Sequence, residues 1–147
     1  MKPSEIRSEL MEQHARLRAL LVRARGIAER TAKTRTTAEL HDALAEVADY
    51  VRVHNLCEES LLRDLLPTLD GWGRVRADVM NDEHVDEHRQ LYEALLVAST
   101  TSDAALAAEK ANELFDRMFV HMEREERVLL AEDVLSDEEL PPDEFGG

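Results

Sequence analysis

The sequence predicts an all-α protein, an antiparallel up-down-up-down bundle of four long helices. Three observations predict it. Four long segments carry apolar residues that step by three and four. Three breaks separate them, and no useful stretch alternates with the period of two that a strand needs. Long helices joined by short links pack most simply against their chain neighbours in alternating directions.

The first helix is expected from about Ser4, a candidate N-cap, to about Arg30, with Leu10, His14, Leu17, Leu21, Ala24 and Ala28 on one stripe. The second opens with Thr36 and Glu39 at capping-box spacing. Its stripe is Leu40, Leu44, Val47, Val51, His54, Glu58, Leu61 and Leu65, and Pro67 marks its end. After the turn-rich link from Asp70 to Gly73 comes the third, from about Arg74 to Ala98, with Ala77, Asn81, His84, His88, Leu91, Leu95 and Ala98 on one face. Asp103 is the candidate N-cap of the fourth. Its stripe is Ala107, Ala111, Leu114, Met118, His121, Glu125 and Val128, with an end near Ala131. Residues 1–135 form the expected bundle, and 136–147 an acidic, flexible tail.

Composition narrows the function. A net charge of -14 argues against nucleic acid as a partner, because phosphates are repelled. The single cysteine, Cys57, makes neither an internal disulfide nor a Cys-based zinc site. No window approaches the apolar length of a membrane span, and the N-terminus has no signal-peptide core. The expected compartment is the cytoplasm. Basic residues between Arg16 and Arg35 and the acidic tail read as solvated surface, with an unspecified protein partner as the alternative.

The chemistry lies in the histidines. Five of the six occupy stripe positions where Leu or Ala belongs, and so do Glu58 and Glu125. A buried, unpaired carboxylate is costly by several kcal/mol, in order of magnitude, unless a cation meets it. Heights along the helices place the seven groups together. At roughly 1.5 Å per residue, His14, His84 and His121 lie roughly 15 Å from one bundle end. His54 and Glu58 come at roughly 18 and 12 Å, His88 at roughly 21 Å and Glu125 at roughly 9 Å. One layer with donors from four helices describes a metal site inside a bundle. Imidazole with carboxylate suits iron, zinc, copper or manganese. Five imidazole nitrogens and up to about four carboxylate oxygens exceed one octahedral shell, so the count favours two ions.

The ordered set His14, His54-x-x-x-Glu58, His84-x-x-x-His88, His121-x-x-x-Glu125 resembles the hemerythrin and hemerythrin-like HHE cation-binding family, over roughly Ser4 to Glu132. The resemblance implies a four-helix bundle holding two iron ions in an oxo- or hydroxo-bridged centre. His14, His54, His84, His88 and His121 would be ligands, and Glu58 a bridging carboxylate. Oxygen-carrying members place an aspartate five residues after the last histidine, where this chain has Glu126. HHE relatives often use glutamate four residues after, here Glu125. Register favours Glu125, because four residues turn a helix about 40° past His121 and five about 140°. The histidine segments are spaced more widely than in the oxygen carriers, which puts a transport role in doubt.

Rival readings fail on residues. Ferritin-like sites need Glu three residues before a histidine, and a zinc protease needs His-Glu-x-x-His; both are absent. Among the remaining residues, His41 is expected at the surface, Cys57 as a half-buried inert thiol, Tyr50 as packing and Trp72 as a cover for a bundle end. The expected function is binding of dioxygen or a related diatomic or peroxide ligand for sensing, storage or delivery. Apolar neighbours such as Leu17, Val51, Leu91 and Met118 would limit water access. Turnover of peroxide or nitric oxide, repair of iron centres in other proteins, and a metal-stabilised adaptor are the alternatives. The resemblance does not choose between binding and catalysis, but no acid/base partner is evident beyond the ligands, which favours binding.

Overall fold

The computed structural model describes residues 1–69 and 71–137, the side chains at positions 72, 73, 76 and 80 excepted. Four α-helices and one 3-10 turn lie within them, and no strand. The side chain of Trp72 and the tail beyond residue 137 lie outside the described residues.

Helix α1 spans Pro3–Thr34. Proline at the first position is harmless there, since that N–H has no helical partner. Lys2, not Ser4, is the N-cap, and its backbone N–H donates to Glu5 Oε2 at 2.7 Å. Ser4 lies inside the first turn. Its N–H donates to Asp137 Oδ1 at 2.9 Å and its hydroxyl to Asp137 Oδ2. A carboxylate from beyond the last helix thus serves the positive end of the first. These contacts with Ser4 also hold the Asp137 carboxyl below the usual carboxylate range. At the other end Arg35 adopts the left-handed conformation, φ 61°, and donates its N–H to Thr31 O at 2.9 Å.

Helix α2 spans Ala38–Leu65. The expected capping box does not form. Thr37 is the N-cap and its side chain caps nothing. Thr36 pairs with Thr34 through their hydroxyls, and Arg30 draws Glu39 across to α1 at 2.7 Å. Leu62 is fully buried where Leu61 was expected, because the buried face steps four residues on from Glu58. Pro67 sits in the 3-10 turn Leu66–Thr68 that closes the helix, as expected. Helix α3, Gly71–Ser99, begins three residues before the expected Arg74. Helix α4, Ala104–Val128, opens on Asp103, whose carboxylate accepts from Leu106 N–H at 2.8 Å. It ends three residues before Ala131, and Leu129 and Leu130 are buried in place of Val128.

Each helix packs against its chain neighbours, and α1 closes against α4. Partner numbers rise on one helix as they fall on the next. Gln13, Arg23 and Arg30 of α1 meet His54, Glu46 and Glu39 of α2. Arg7, Arg18 and Arg25 meet Leu130, Glu126 and Asp116. The buried apolar residues form two clusters. One, with Leu21, Leu44, Leu95 and Phe115, fills the half toward the α1–α2 turn. The other packs Ile6 and Leu10 against Leu62, Leu66, Leu130 and Leu135. Among the described residues no helix is long and apolar enough to cross a membrane.

Candidate metal centre

Between the two apolar clusters lies a polar layer. His14 comes from α1, His54 and Glu58 from α2, His84 and His88 from α3, His121 and Glu125 from α4. All seven residues are buried, none more than 5% exposed. They fall into two groups whose ligand atoms lie within 4.8 Å of one another: His84, His88, His121 and Glu125, and His14, His54 and Glu58. Every group expected at this level is there, and each group could hold a metal ion.

The carboxylates join the two groups. Glu58 Oε2 lies 3.3 Å from His14 Nε2 and 3.2 Å from His54 Nε2, and its Oε1 lies 3.2 Å from His84 Nδ1 and 3.4 Å from His88 Nε2. Glu125 Oε1 is 2.7 Å from His121 Nε2 and 3.7 Å from His14 Nε2. Its Oε2 is 2.8 Å from His84 Nδ1 and 3.5 Å from His88 Nε2. Each glutamate therefore faces both groups.

A ring of outer contacts, not foreseen from the sequence, surrounds four of the imidazoles, as hydrogen bonds at His54 and His14 and as looser charge contacts at His88 and His121. Gln13 of α1 accepts from His54 Nδ1–H of α2 at 2.7 Å. Glu59 of α2 lies 3.4 Å from His88 Nδ1 of α3, and Glu87 of α3 lies 3.2 Å from His121 Nδ1 of α4. Glu126 of α4 accepts from His14 Nδ1–H of α1 at 3.0 Å, while Arg18 donates to its other oxygen at 2.7 Å. Each helix thus serves the next one round. Every outer residue is the immediate neighbour of a donor, on alternating sides in sequence: Gln13 before His14, Glu59 after Glu58, Glu87 before His88, Glu126 after Glu125. Reversing the chain direction from helix to helix turns those alternating offsets into one rotational sense. At His54 and His14, holding Nδ1–H outward leaves the Nε2 lone pair facing the centre, the arrangement a metal-binding histidine needs. Glu126 thus belongs to this outer ring and not to the inner groups.

The other singled-out residues fall nearby. The Tyr50 hydroxyl donates to the Gln13 carbonyl at 3.2 Å, not to a histidine. Cys57 is half-buried and accepts from Gln13 Nε2 at 3.4 Å. His41 is half-buried and lies far from the centre, its Nε2 2.7 Å from the Thr101 carbonyl.

Electrostatics describe a site built for positive charge. Burial works against a charged His88, yet the carboxylates of Glu125, Glu59 and Glu58 outweigh it and raise its pKa to about 10. His84 behaves likewise, raised to about 9 against burial by Glu125 and Glu58. His14 is raised too, against burial, by Glu58, Glu125 and Glu126. Burial would push the Glu58 carboxyl up, but hydrogen bonding with Glu125, His14, His54 and His84 holds it well below the usual range. Glu125 is lowered as well, since His121 and His84 outweigh burial and Glu58.

Protons do not satisfy the layer. Among the described residues, Glu58 Oε1, Glu125 Oε1, both ring nitrogens of His88 and the Nε2 atoms of His84 and His121 are buried without a hydrogen-bond partner. Each such atom costs about 1–3 kcal/mol. His121 Nε2 and Glu125 Oε1 approach to 2.7 Å without hydrogen-bond alignment, as two donors to a shared cation do. Imidazole and carboxylate are the donors that borderline and hard cations take, so the residues fit metal ions.

Beside the layer is a cavity of about 20 Å³, walled on its apolar side by Leu17, Val51, Leu91, Met118 and Met122 and on the other by four of the donors. It has room for a molecule the size of water. Four of those apolar residues are the ones expected to exclude water.

A model of the hemerythrin HHE cation-binding domain matches residues 5–132 of the chain. No curated protein and no solved structure gives a significant match.

Proposed function

The chain belongs to the hemerythrin HHE cation-binding family, and from that premise we propose that it is a non-haem di-iron protein that binds dioxygen or a related small ligand for sensing, storage or delivery. The contact registers support an up-down-up-down antiparallel four-helix bundle as its scaffold. His84, His88, His121 and Glu125 would hold one ion, and His14, His54 and Glu58 the other, with both glutamates shared between them. The observation that carries the reading is that Glu58 and Glu125 each turn an oxygen to both groups. Shared carboxylates raise the donors at each ion to four or more, which suits six-coordinate iron with a position left for a ligand.

A pair of iron ions supplies, when bound, the change of oxidation state that reversible dioxygen binding requires. The chain's own residues do the rest. The outer ring keeps the imidazole lone pairs inward, the glutamates balance the charge, and the cavity admits only a ligand of a few atoms while its aliphatic wall keeps bulk water out. Apart from the donors, the one polar residue lining the cavity among the described residues is Asn55, whose amide is no acid or base. That favours binding over turnover of peroxide or nitric oxide by the same centre.

The test is iron content per chain after anaerobic loading, with optical spectra under dithionite, under air and with azide. Two irons per chain and bands that respond reversibly to the ligand are expected. Zinc as the sole metal retained, or spectra indifferent to ligand, would overturn the reading; steady-state loss of peroxide or nitric oxide well above that of free iron would replace it with an enzyme.

A further inference from the structure

Among the described residues, every one lining the small cavity is buried except one. Asn55, the residue after His54 on α2, is half-exposed. It also lines an open groove of about 660 Å³ between α2 and α3, beside Leu56, Val85 and Tyr92. His88 is the one other residue common to groove and cavity, and at 4% exposure it is fixed in the inner layer. On its remaining sides the cavity backs onto Leu17, Met118 and Met122, which belong to the close-packed core. The Asn55 side chain forms no hydrogen bond or ion pair with any described residue, whereas His54, His88 and His121 beside it each face a polar group of a neighbouring helix. A half-exposed side chain with no partner turns between rotamers on a time scale of nanoseconds or less. Buried, partnered walls do not.

We propose that the α2–α3 groove is the route by which the small ligand reaches the buried centre, and that the Asn55 side chain is the gate between groove and cavity. The inference rests on the reading of the cavity as the ligand site. A gate sets rates in both directions and leaves affinity nearly unchanged, because it stands beside the path in the free and the bound state alike. Azide is a suitable probe, being small and read optically on iron.

In stopped-flow mixing with the iron-loaded chain, Asn55→Ala is expected to speed azide association and dissociation together, and Asn55→Trp to slow both, each by about fivefold or more. Val53→Trp, on the outer face of the same helix, should change neither. A metal-independent reading uses the full chain supplied with redox-inert zinc and treated with hydrogen peroxide. Peroxide reaching the cavity transfers oxygen to the Met118 and Met122 sulfurs and leaves as water. Peptide mass spectrometry should find that oxidation faster in Asn55→Ala and slower in Asn55→Trp, with exposed Met1 unchanged as the internal reference. If methionine oxidation follows the gate while azide never binds iron, the ligand reading fails and the route stands. If azide binds but both Asn55 variants keep parental rates in both assays, the route is overturned and the ligand reading survives. An affinity change without a matching change in the two rates would also overturn the gate, making Asn55 a ligand contact instead.

Discussion

Glu58 sits between two pairs of imidazoles, with a different oxygen toward each. Removing that carboxylate by Glu58→Ala should therefore lower the metal bound per chain from two ions to one or none, measured by elemental analysis after loading. Gln13 acts one layer out, through His54 Nδ1. Gln13→Leu removes the acceptor that holds this ring and should weaken metal retention about 10- to 100-fold in chelator competition, whereas Gln13→Glu should largely restore it. An unchanged affinity in Gln13→Leu would show that His54 needs no such support. These outer residues were not legible in the sequence. Gln13, Glu59 and Glu87 look like ordinary solvated polar positions, Glu126 was weighed only as an inner ligand, and their partners lie far along the chain, 112 residues in the case of His14 and Glu126. The available signal was adjacency, since each borders a stripe donor.

The elements were readable wherever the signal was local. Apolar spacing marked four helices, and Asp103 caps α4 as its position predicts. Asp103→Ala should cost about 1 kcal/mol in urea unfolding, the worth of a single N-cap. Other termini followed tertiary contacts. Ser4 is not a cap because a distant carboxylate, Asp137, takes its N–H, and Glu39 leaves its capping role for Arg30. Arg35 holds a left-handed conformation, φ 61°, that glycine adopts without strain. Arg35→Gly is therefore expected to raise stability by roughly 0.5–1 kcal/mol, read from the same unfolding curves. A loss of stability would show that the Arg35 side chain contributes more than its backbone costs.

Across the whole molecule, two oily clusters clamp a layer whose charge only cations can balance. In the metal-free chain protons do part of that work. His84 and His88 have folded pKa values of about 9 and about 10, above the ordinary 6.5. Their stabilising contribution is complete below pH 6.5 and is lost as pH rises through 9 to 10. Glu58 and Glu125 are lowered, so theirs is present above 4.5 and lost as pH falls through the lowered folded values. Bound metal takes the place of the histidine protons and meets less competition as pH rises. The melting temperature of metal-free protein should accordingly fall from pH 6.5 towards 9, and its gap to the pre-loaded protein should widen over that window. A gap independent of pH would remove the histidines from the metal shell.

By itself the sequence determined the helices and the seven imidazoles and carboxylates that share one buried layer, because helical periodicity and the cost of burying charge act along a few turns of one chain segment. Tertiary structure decided which oxygen faces which imidazole, the outer ring, the helix ends and the single half-exposed residue on the cavity wall. Those depend on the rotation of one helix against its neighbours, and a turn of a few tens of degrees changes the partners while leaving the sequence pattern untouched.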